Sequence, residues 1–196
     1  QLNLNQLEAE LEISRTPLKI ALSRLQNEGL VEIHPRRGTY IKAYSEDDIR
    51  ECFELRIALE AEALRAAFAP HNAELLSEIV DLFQRMKAYF INEDAWLDQL
   101  AEYMDLDHRA HVHIARLSGN ARLVNAYEHV NVQGYIAMMG TRFRYSDTLE
   151  TQAEHQRILS ALQEQNLPAL LQAARAHLEG ASKRAILRLV GTEGAR

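Results

Sequence analysis

The sequence predicts a mainly α-helical protein, with an N-terminal winged helix-turn-helix followed by an antiparallel bundle of about six helices. Three observations support this fold. Helical spacing of apolar residues dominates after residue 45, and strand-like patterns occur only in "LVEIH" (residues 30–34) and "GTYIKA" (residues 38–43). Residues 13–43 also hold six basic and two acidic side chains, a local net charge of +4, although the whole chain carries −6. A basic head on an acidic body is typical of a regulator that contacts phosphates with one part only.

Composition excludes several protein classes. The single cysteine, Cys52, rules out an internal disulfide and favours a reducing compartment. The first twenty residues show no basic segment followed by an apolar run, and no apolar stretch approaches the roughly 20 residues of a membrane-spanning helix. We therefore expect a soluble cytoplasmic protein without a membrane partner.

The first two helices are predicted from spacing and capping residues. Leucines at helical spacing predict a short helix over residues 4–11. Ser14 is a suitable N-cap and Pro17 suits a first turn, so a second helix is expected over residues 15–28, ended by Gly29. The buried face predicted for this second helix comprises Leu18, Ala21, Leu22 and Leu25.

A basic hairpin follows these helices. "LVEIH" and "GTYIKA" are joined by "PRRG" (residues 35–38), which gives a two-stranded wing whose tip carries two arginines and a glycine. A helix N-terminus fits the major groove of duplex DNA, and a basic wing fits the adjacent minor groove or phosphates. Operator DNA is the expected partner. The candidate DNA-binding residues are Asn5, Ser14, Arg15, Thr16, Pro17, Lys19, Arg36, Arg37 and Gly38.

The remainder of the chain is predicted to be helical. A short polar stretch at residues 44–47 marks a boundary between a DNA-binding domain (1–43) and an effector-binding and dimerisation domain (44–196). Ser45 and Asp48 have the spacing of a capping box, and the helix that they begin should run to Pro70. Further helices are expected at residues 73–91, 94–118, 121–140, 147–165 and 167–190.

Four side chains in this second region are candidate metal ligands. Asp107 and His111 are four residues apart on one helix and therefore share a face, while His155 and His177 lie on two later helices. Three imidazoles and one carboxylate would suit a borderline-soft divalent ion better than calcium. Spacing alone leaves their convergence open. Histidines such as His113, on roughly the opposite helical face from His111, are expected at the surface.

The N-terminal segment "LEAELEISRTPLKIALSRLQNEGLVEIHPRRGTYI" resembles the DNA-binding domain of the GntR family of bacterial transcription regulators. The resemblance rests on a Ser-Arg-Thr-Pro recognition helix, a Gly-Leu-Val strand and a Pro-Arg-Arg-Gly wing. Lys19 stands where arginine is usual, which keeps the charge but loses the bidentate geometry. The first helix of the family domain would precede residue 1, so the winged domain is expected to lack it.

Residues 47–190 resemble the helical effector domain (FCD domain) of the FadR-type branch of this family. The pattern is an Asp-x-x-x-His pair, then Ser-Gly-Asn, Glu-His and a later His. The resemblance implies that Asp107, His111, His155 and His177 hold one divalent ion, with zinc first and nickel, manganese, cobalt or iron as alternatives. Ala110 replaces the usual phenylalanine, and we expect it to enlarge the pocket.

The resemblance also implies a small carboxylate effector at the metal. Because a guanidinium pairs with a carboxylate in a bidentate manner, arginines are its expected partners. The candidates are Arg142 and Arg144 in "GTRFRYSD", and Arg56 in "ELRIALE". Arg56 could instead pair with Glu60 at the surface, and arginines in loops are usually solvated.

These features favour a ligand-responsive transcription regulator, expected to be a repressor, which binds operator DNA as a homodimer and is not an enzyme. One alternative is a metal-dependent hydrolase that uses the His3Asp site. Such an enzyme would need a general base, and Glu154 is the obvious candidate, although neighbouring residues on a helix point about 100° apart. Another alternative is a regulator that senses the metal itself.

Overall fold

The computed structural model describes residues 1–89, 93–139 and 143–193 of the chain. The chain forms two compact units, Gln1–Ser45 and Glu46–Arg196. In the described ranges, no helix combines the length and the apolar character that crossing a membrane requires.

The first unit is a winged helix-turn-helix, as predicted. It contains α1 (Leu4–Glu10), α2 (Arg15–Asn27), β1 (Val31–His34) and β2 (Gly38–Ile41). The Asn3 side chain caps α1 by accepting hydrogen bonds from the backbone N–H groups of Asn5 and Gln6. The two strands pair antiparallel, with Val31 opposite Ile41 and His34 opposite Gly38.

Two details of α2 differ from the sequence prediction. Ser14 occupies the N-cap position, but its side chain makes no capping hydrogen bond. Leu18 and Leu22 are buried as expected, whereas Leu25 is half-buried and Ala21 is exposed. Ala21 lies about 60° from Leu18 around the helix axis, at the edge of the apolar arc. The small hairpin and the short α1, against which α2 packs, cover only the centre of that arc.

The wing turn depends on its glycine. Gly38 has φ of +121°, a conformation that L side chains rarely adopt, and Arg36 takes a left-handed conformation with φ of 63°. The Tyr40 hydroxyl donates to the carbonyl of Arg37, which ties the turn to the second strand. Arg36 and Arg37 are both exposed at the tip.

The second unit is a helical bundle, as predicted. Its described part contains six α-helices and two short 3-10 turns. The helix pairs with the most extensive contact are α7 with α8, α3 with α8 and α4 with α5. The helices are α3 (Glu46–Leu64), α4 (Ala73–Met86), α5 (Trp96–Arg116), α6 (Ala121–Met139), α7 (Tyr145–Gln163) and α8 (Leu167–Glu193).

Two helices end earlier than predicted, and side-chain amides donate to backbone carbonyls near their ends. The third helix stops at Leu64 rather than near Pro70, and the Asn72 amide donates to the carbonyls of Ala66 (2.8 Å) and Leu117 (2.9 Å). The fourth helix stops at Met86, where the Gln152 amide nitrogen donates to carbonyls of this segment. Long-range capping of this kind is invisible to local sequence patterns.

The core of the bundle packs against the candidate metal ligands His111 and His155. It is built from apolar side chains of α3, α4, α5, α7 and α8. Phe83 is fully buried, and its ring packs edge-on against two imidazoles, at centroid distances of 5.2 Å to His155 and 6.4 Å to His111. The core therefore holds the imidazole rings in place by packing as well as by hydrogen bonding.

Candidate metal centre and ligand cavity

Three helices bring the four predicted ligands together. Asp107 and His111 lie on α5, His155 lies on α7, and His177 lies on α8. One ligand atom from each residue lies within 4.8 Å of all the others. The Nε2 atom of His177 is 3.2 Å from that of His111 and 3.3 Å from that of His155. The convergence that spacing left open is therefore present.

Each imidazole is fixed by a partner on its outer nitrogen. His111 Nδ1 lies 2.9 Å from Glu60 Oε2, and His177 Nδ1 lies 3.0 Å from Glu154 Oε2. His155 Nδ1 lies 2.9 Å from the hydroxyl of Tyr103. An ionised carboxylate can only accept, so two of these contacts place the imidazole proton on Nδ1. The Nε2 lone pairs of those rings then face inward, as metal ligands require.

Asp107 completes the cluster from a buried position. Its Oδ1 atom lies 3.0 Å from Nε2 of His155 and 3.7 Å from Nε2 of His111, and no described residue makes a well-aligned hydrogen bond with it. Inward lone pairs and a carboxylate oxygen repel one another at these distances unless a positive charge lies between them. The donor set therefore fits a divalent cation that accepts nitrogen and oxygen ligands.

The charge distribution favours the ligating forms of Asp107 and His177, whereas Glu60 and Asp107 outweigh burial and raise the pKa of His111. Burial alone would raise the pKa of Asp107, but the neighbouring imidazoles, His111 foremost, hold it well below its ordinary value. Burial lowers the pKa of His177 to about 4, and His155 adds to the effect. Burial opposes ionisation of Glu154 as well, yet Arg184 and His177 lower its pKa to about 2.

A buried network supports the His111 side of the cluster. Glu60 is 1% exposed, and its Oε1 accepts a hydrogen bond of 2.7 Å from the Tyr127 hydroxyl. Arg56 is also buried, and its Nη2 donates to that hydroxyl at 3.2 Å and to Glu60 at 3.5 Å. The alternative pairing of Arg56 with Glu60 is present, but it lies in the interior and not at the surface. The roles of Glu60, Tyr103 and Tyr127 were missed from the sequence.

Glu154 holds the His177 side of the cluster. Its two carboxylate oxygens accept hydrogen bonds of 2.7 Å each from Arg184 in a bidentate arrangement, and one of them also contacts His177. Gly180 makes room for this arrangement, since a Cβ atom at that position would lie 2.5 Å from Glu154 Oε1. Glu154 thus orients both His177 and Arg184 by hydrogen bonding.

A cavity of about 60 Å³ opens beside the cluster. Asp107 and His177 form part of its lining, together with Arg56, Arg184 and Arg188. The last two were missed, although their spacing of seven and eleven residues from His177 places all three on one face of α8. The cavity thus combines the candidate ligand cluster with three guanidinium groups.

The three arginines predicted for the effector have different positions. Arg56 lines the cavity. Arg144 is exposed at the N-cap of α7 and does not line the cavity, because the chain turns into the helix with this side chain toward solvent. Arg142 lies outside the described residues.

The candidate DNA-binding residues lie on the exposed surface of the first unit. Arg15 stands at the start of α2, and its guanidinium donates to Asn5 (3.0 Å) and Glu8 (3.1 Å) of α1. Thr16 and Lys19 are exposed on the same helix. Of the predicted set, the structure brings Asn5 and Arg15 into direct contact, whereas Arg36 and Arg37 are exposed at the hairpin tip.

Comparison with known families agrees with this architecture. The family model described as "FCD domain" matches residues 51–180. The family model described as "Bacterial regulatory proteins, gntR family" matches residues 1–41. The chain belongs to the GntR family and carries an FCD domain. It is therefore a transcriptional regulator of the GntR/FCD type, and regulators of the GntR family bind operator DNA.

Curated relatives of this GntR-family chain include two regulators of the helix-turn-helix type. One, from an unstable DNA locus of Streptomyces ambofaciens, is 27% identical over 180 residues, which cover 90% of this chain and 72% of the relative. Another, from the TAR-I ttuE-ttuC' intergenic region of Agrobacterium vitis, is 43% identical over 88 residues. That match covers 43% of this chain and about half (52%) of the relative.

Solved structures share the fold. A crystal structure of a GntR regulator from Rhodococcus sp. RHA1 superposes with a TM-score of 0.79 at 20% identity, over 95% of this chain and 86% of that one. The metal-free FCD domain of TM0439 superposes with a TM-score of 0.58 at 19% identity, over 76% of this chain and 99% of that one.

Ala110, which replaces the phenylalanine usual in the family, does not affect the cavity as expected. Ala110 is fully buried in the core cluster with Leu106 and Ile114, and it is not part of the cavity lining. The prediction that Ala110 enlarges the cavity is therefore wrong. Its position in α5, one residue before His111, directs its Cβ into the packed core.

Proposed function

We propose that this GntR-family chain is a ligand-responsive repressor that binds operator DNA as a homodimer through its first unit. A small carboxylate, bound in the cavity of the second unit beside a divalent metal ion, would lower its affinity for the operator. The observation that carries this proposal is the cluster of Asp107, His111, His155 and His177, in which the inner ligand atoms converge and the outer nitrogens are anchored.

The four clustered side chains would hold the ion, with zinc as the first choice and nickel, manganese, cobalt or iron as alternatives. A bound divalent ion would supply a Lewis-acidic position that a carboxylate oxygen can occupy. Glu60, Tyr103 and Glu154 would orient the imidazoles, and partners of this kind commonly change metal affinity by about 10 to 100-fold when removed.

The effector would contact the protein through guanidinium groups as well. Arg56 is buried and lines the cavity, and its Nε atom has no hydrogen-bond partner in the part of the chain that the structure describes. Burying a donor without a partner destabilises a protein by about 1 to 3 kcal/mol. A ligand that accepts a hydrogen bond from this donor recovers that free energy. We propose that the effector carboxylate accepts this hydrogen bond.

The third helix would carry the signal toward the DNA-binding unit. Arg56 and Glu60 lie on this helix, which begins at Glu46, directly after the first unit ends at Ser45. A ligand that repositions Arg56 therefore acts on the helix that is covalently continuous with the winged domain. Such coupling requires two arrangements of the helix with different affinities for the ligand.

A homodimer would increase operator affinity because the second winged domain binds at high effective concentration once the first is bound. The second unit exposes large apolar side chains, among them Leu97, Leu187 and Val190, that suit an interface. Light scattering on the full chain at micromolar concentration should give twice the monomer mass. A monomer mass would contradict this part of the proposal.

The hydrolase alternative loses its general base in this geometry. Glu154 would have to take a proton from water, but its oxygens already accept hydrogen bonds from Arg184 and contact His177. The remaining alternative, sensing of the metal itself, differs from the proposal in one measurable respect. A metal sensor would change its operator affinity with the ion alone, whereas the proposed regulator requires an added acid.

The proposal is tested by measuring operator affinity of the full chain with zinc and with candidate acids added separately and together. We expect an acid to weaken operator binding at least tenfold in zinc-loaded protein and to have no effect on the Asp107→Ala variant. His113→Ala is the matched control, because His113 lies on the same helix but outside the cluster and pairs with Glu78. A response to zinc without acid would favour the metal sensor.

A further inference from the structure

We infer that the cavity has a second anion-binding end, formed by Arg188, and that the effector is therefore a small dicarboxylate. This inference rests on the proposed function: one carboxylate would lie at the metal cluster and the other at Arg188. Nothing in the family pattern identified from the sequence involves this arginine, which lies eleven residues beyond His177 on α8.

Arg188 is buried and has binding capacity to spare. It is 7% exposed and lines the cavity, yet no described residue forms a hydrogen bond with its Nε atom. Among the described residues its one ion pair, to Asp147, is long at 3.4 Å, and its guanidinium lies over the Phe143 ring at 4.2 Å from the ring centroid. A buried cation with a weak counter-charge and an unused donor is a site for an anion.

The other cavity arginine of the same helix is already committed. Arg184 donates from both terminal nitrogens to Glu154 at 2.7 Å. The contrast appears in the pKa values as well: Glu154 outweighs burial and raises the pKa of Arg184, whereas burial lowers the pKa of Arg188 and Asp147 offsets it only in part. Of these two, Arg188 is the one that a ligand carboxylate would stabilise.

The lining between the two ends suits a short methylene chain. His177 and Arg188 are on one helix face, and their Cα atoms are about 16 Å apart along the axis at 1.5 Å per residue. Both side chains reach into the cavity and shorten that span. Leu100, Met104 and Ala181 give the wall apolar surface. The small volume of the cavity, about 60 Å³, favours a short ligand such as a four-carbon diacid.

The test is calorimetric titration of zinc-loaded full chain with succinate and with butyrate, which have the same number of carbons but differ in the second carboxylate. We expect succinate to bind at least tenfold more tightly than butyrate, which corresponds to about 1.4 kcal/mol. Both acids should lose affinity when the metal is chelated. Equal affinities for the two acids, each still dependent on metal, would overturn the dicarboxylate inference and leave the proposed function standing.

Two variants assign the preference to Arg188. Arg188→Gln should abolish the succinate preference and leave the butyrate affinity within about twofold of the wild-type value. Arg188→Lys should retain part of the succinate preference, because lysine keeps the positive charge but lacks the guanidinium fork. Arg175→Gln, an exposed change on the same helix, is the control. A succinate preference that survives undiminished in folded Arg188→Gln protein would overturn the assignment. Binding of neither acid to the wild type would overturn both the inference and the proposed carboxylate effector.

Discussion

The two units use arginine in opposite ways. Arg36 and Arg37 of the wing are exposed to water, whereas Arg56 and Arg188 of the cavity are 4% and 7% exposed. An exposed guanidinium interacts mainly through its charge, which salt screens. A buried one needs counter-charges and fixed hydrogen bonds, because its desolvation costs several kcal/mol. The wing should therefore tolerate substitution that the cavity does not.

The largest expected effect comes from removing a buried counter-charge. Glu60→Ala should destabilise the second unit by about 3 to 5 kcal/mol, because Arg56 and His111 lose their carboxylate partner in the interior. Urea unfolding followed by circular dichroism measures the change. Glu62→Ala, two residues away in an exposed pair with Arg65, should change the free energy of unfolding by less than about 0.5 kcal/mol. Equal losses in both variants would contradict the buried role of Arg56.

An effect of intermediate size is expected at the recognition helix. Arg15→Ala should weaken specific operator binding by about 1 to 3 kcal/mol if Arg15 contacts a base edge. Fluorescence anisotropy on operator and on unrelated duplexes separates the specific from the general loss. Lys19→Ala is the companion variant, and it should lower the affinity for both duplexes by a similar factor. An Arg15→Ala protein with unchanged operator affinity would remove Arg15 from the DNA-contacting set.

A smaller effect should follow from filling the space beside the Glu154–Arg184 pair. Gly180→Ala should cost about 1 kcal/mol of unfolding free energy, since the strain of a Cβ atom 2.5 Å from Glu154 Oε1 exceeds the gain in helix propensity. Gly134→Ala is the matched change, because its Cβ would lie 4.0 Å from Arg56, and it should be neutral or stabilising by up to about 1 kcal/mol. Thermal melting compares the two. Similar melting temperatures for both variants would argue against the tight packing around Glu154.

The smallest effect is expected from a charge-conserving change in the wing. Arg37→Lys should alter DNA affinity by less than about 0.5 kcal/mol, because an exposed phosphate contact depends mainly on charge. Arg37→Ala should lower affinity on all sequences and reduce the slope of log K against log salt by about 0.9. A large loss in Arg37→Lys would show that this arginine binds through its fork, as the buried arginines are expected to.

The two units also differ in how far sequence predicts them. The winged domain depends on local signals, such as the turn glycine Gly38 and the capping position of Ser14, so its elements could be placed within a few residues. The buried face of α2 was harder to predict, because Ala21 lies at the edge of that face and is exposed. Local spacing reports which residues share a helix face but not how far a neighbouring element covers it.

The metal cluster illustrates the limit in the second unit. Asp107 and His111 share a face by spacing, but His155 lies 44 residues beyond His111, and only the packing of three helices brings its ring to the others. The resemblance to the FCD domain supplied the ligand set that spacing could not. It did not supply Arg188, or the end of α3 at Leu64, because these depend on tertiary contacts of this particular chain.

The central claim is that Asp107, His111, His155 and His177 bind one divalent ion. Calorimetric titration of zinc into metal-stripped full chain tests it most directly. We expect one zinc ion per chain for wild type and for His113→Ala, and at least a hundredfold loss of affinity for His155→Ala, because one of the four ligands is removed. Zinc uptake that is equal in His155→Ala and His113→Ala, or absent from the wild type, would contradict the claim.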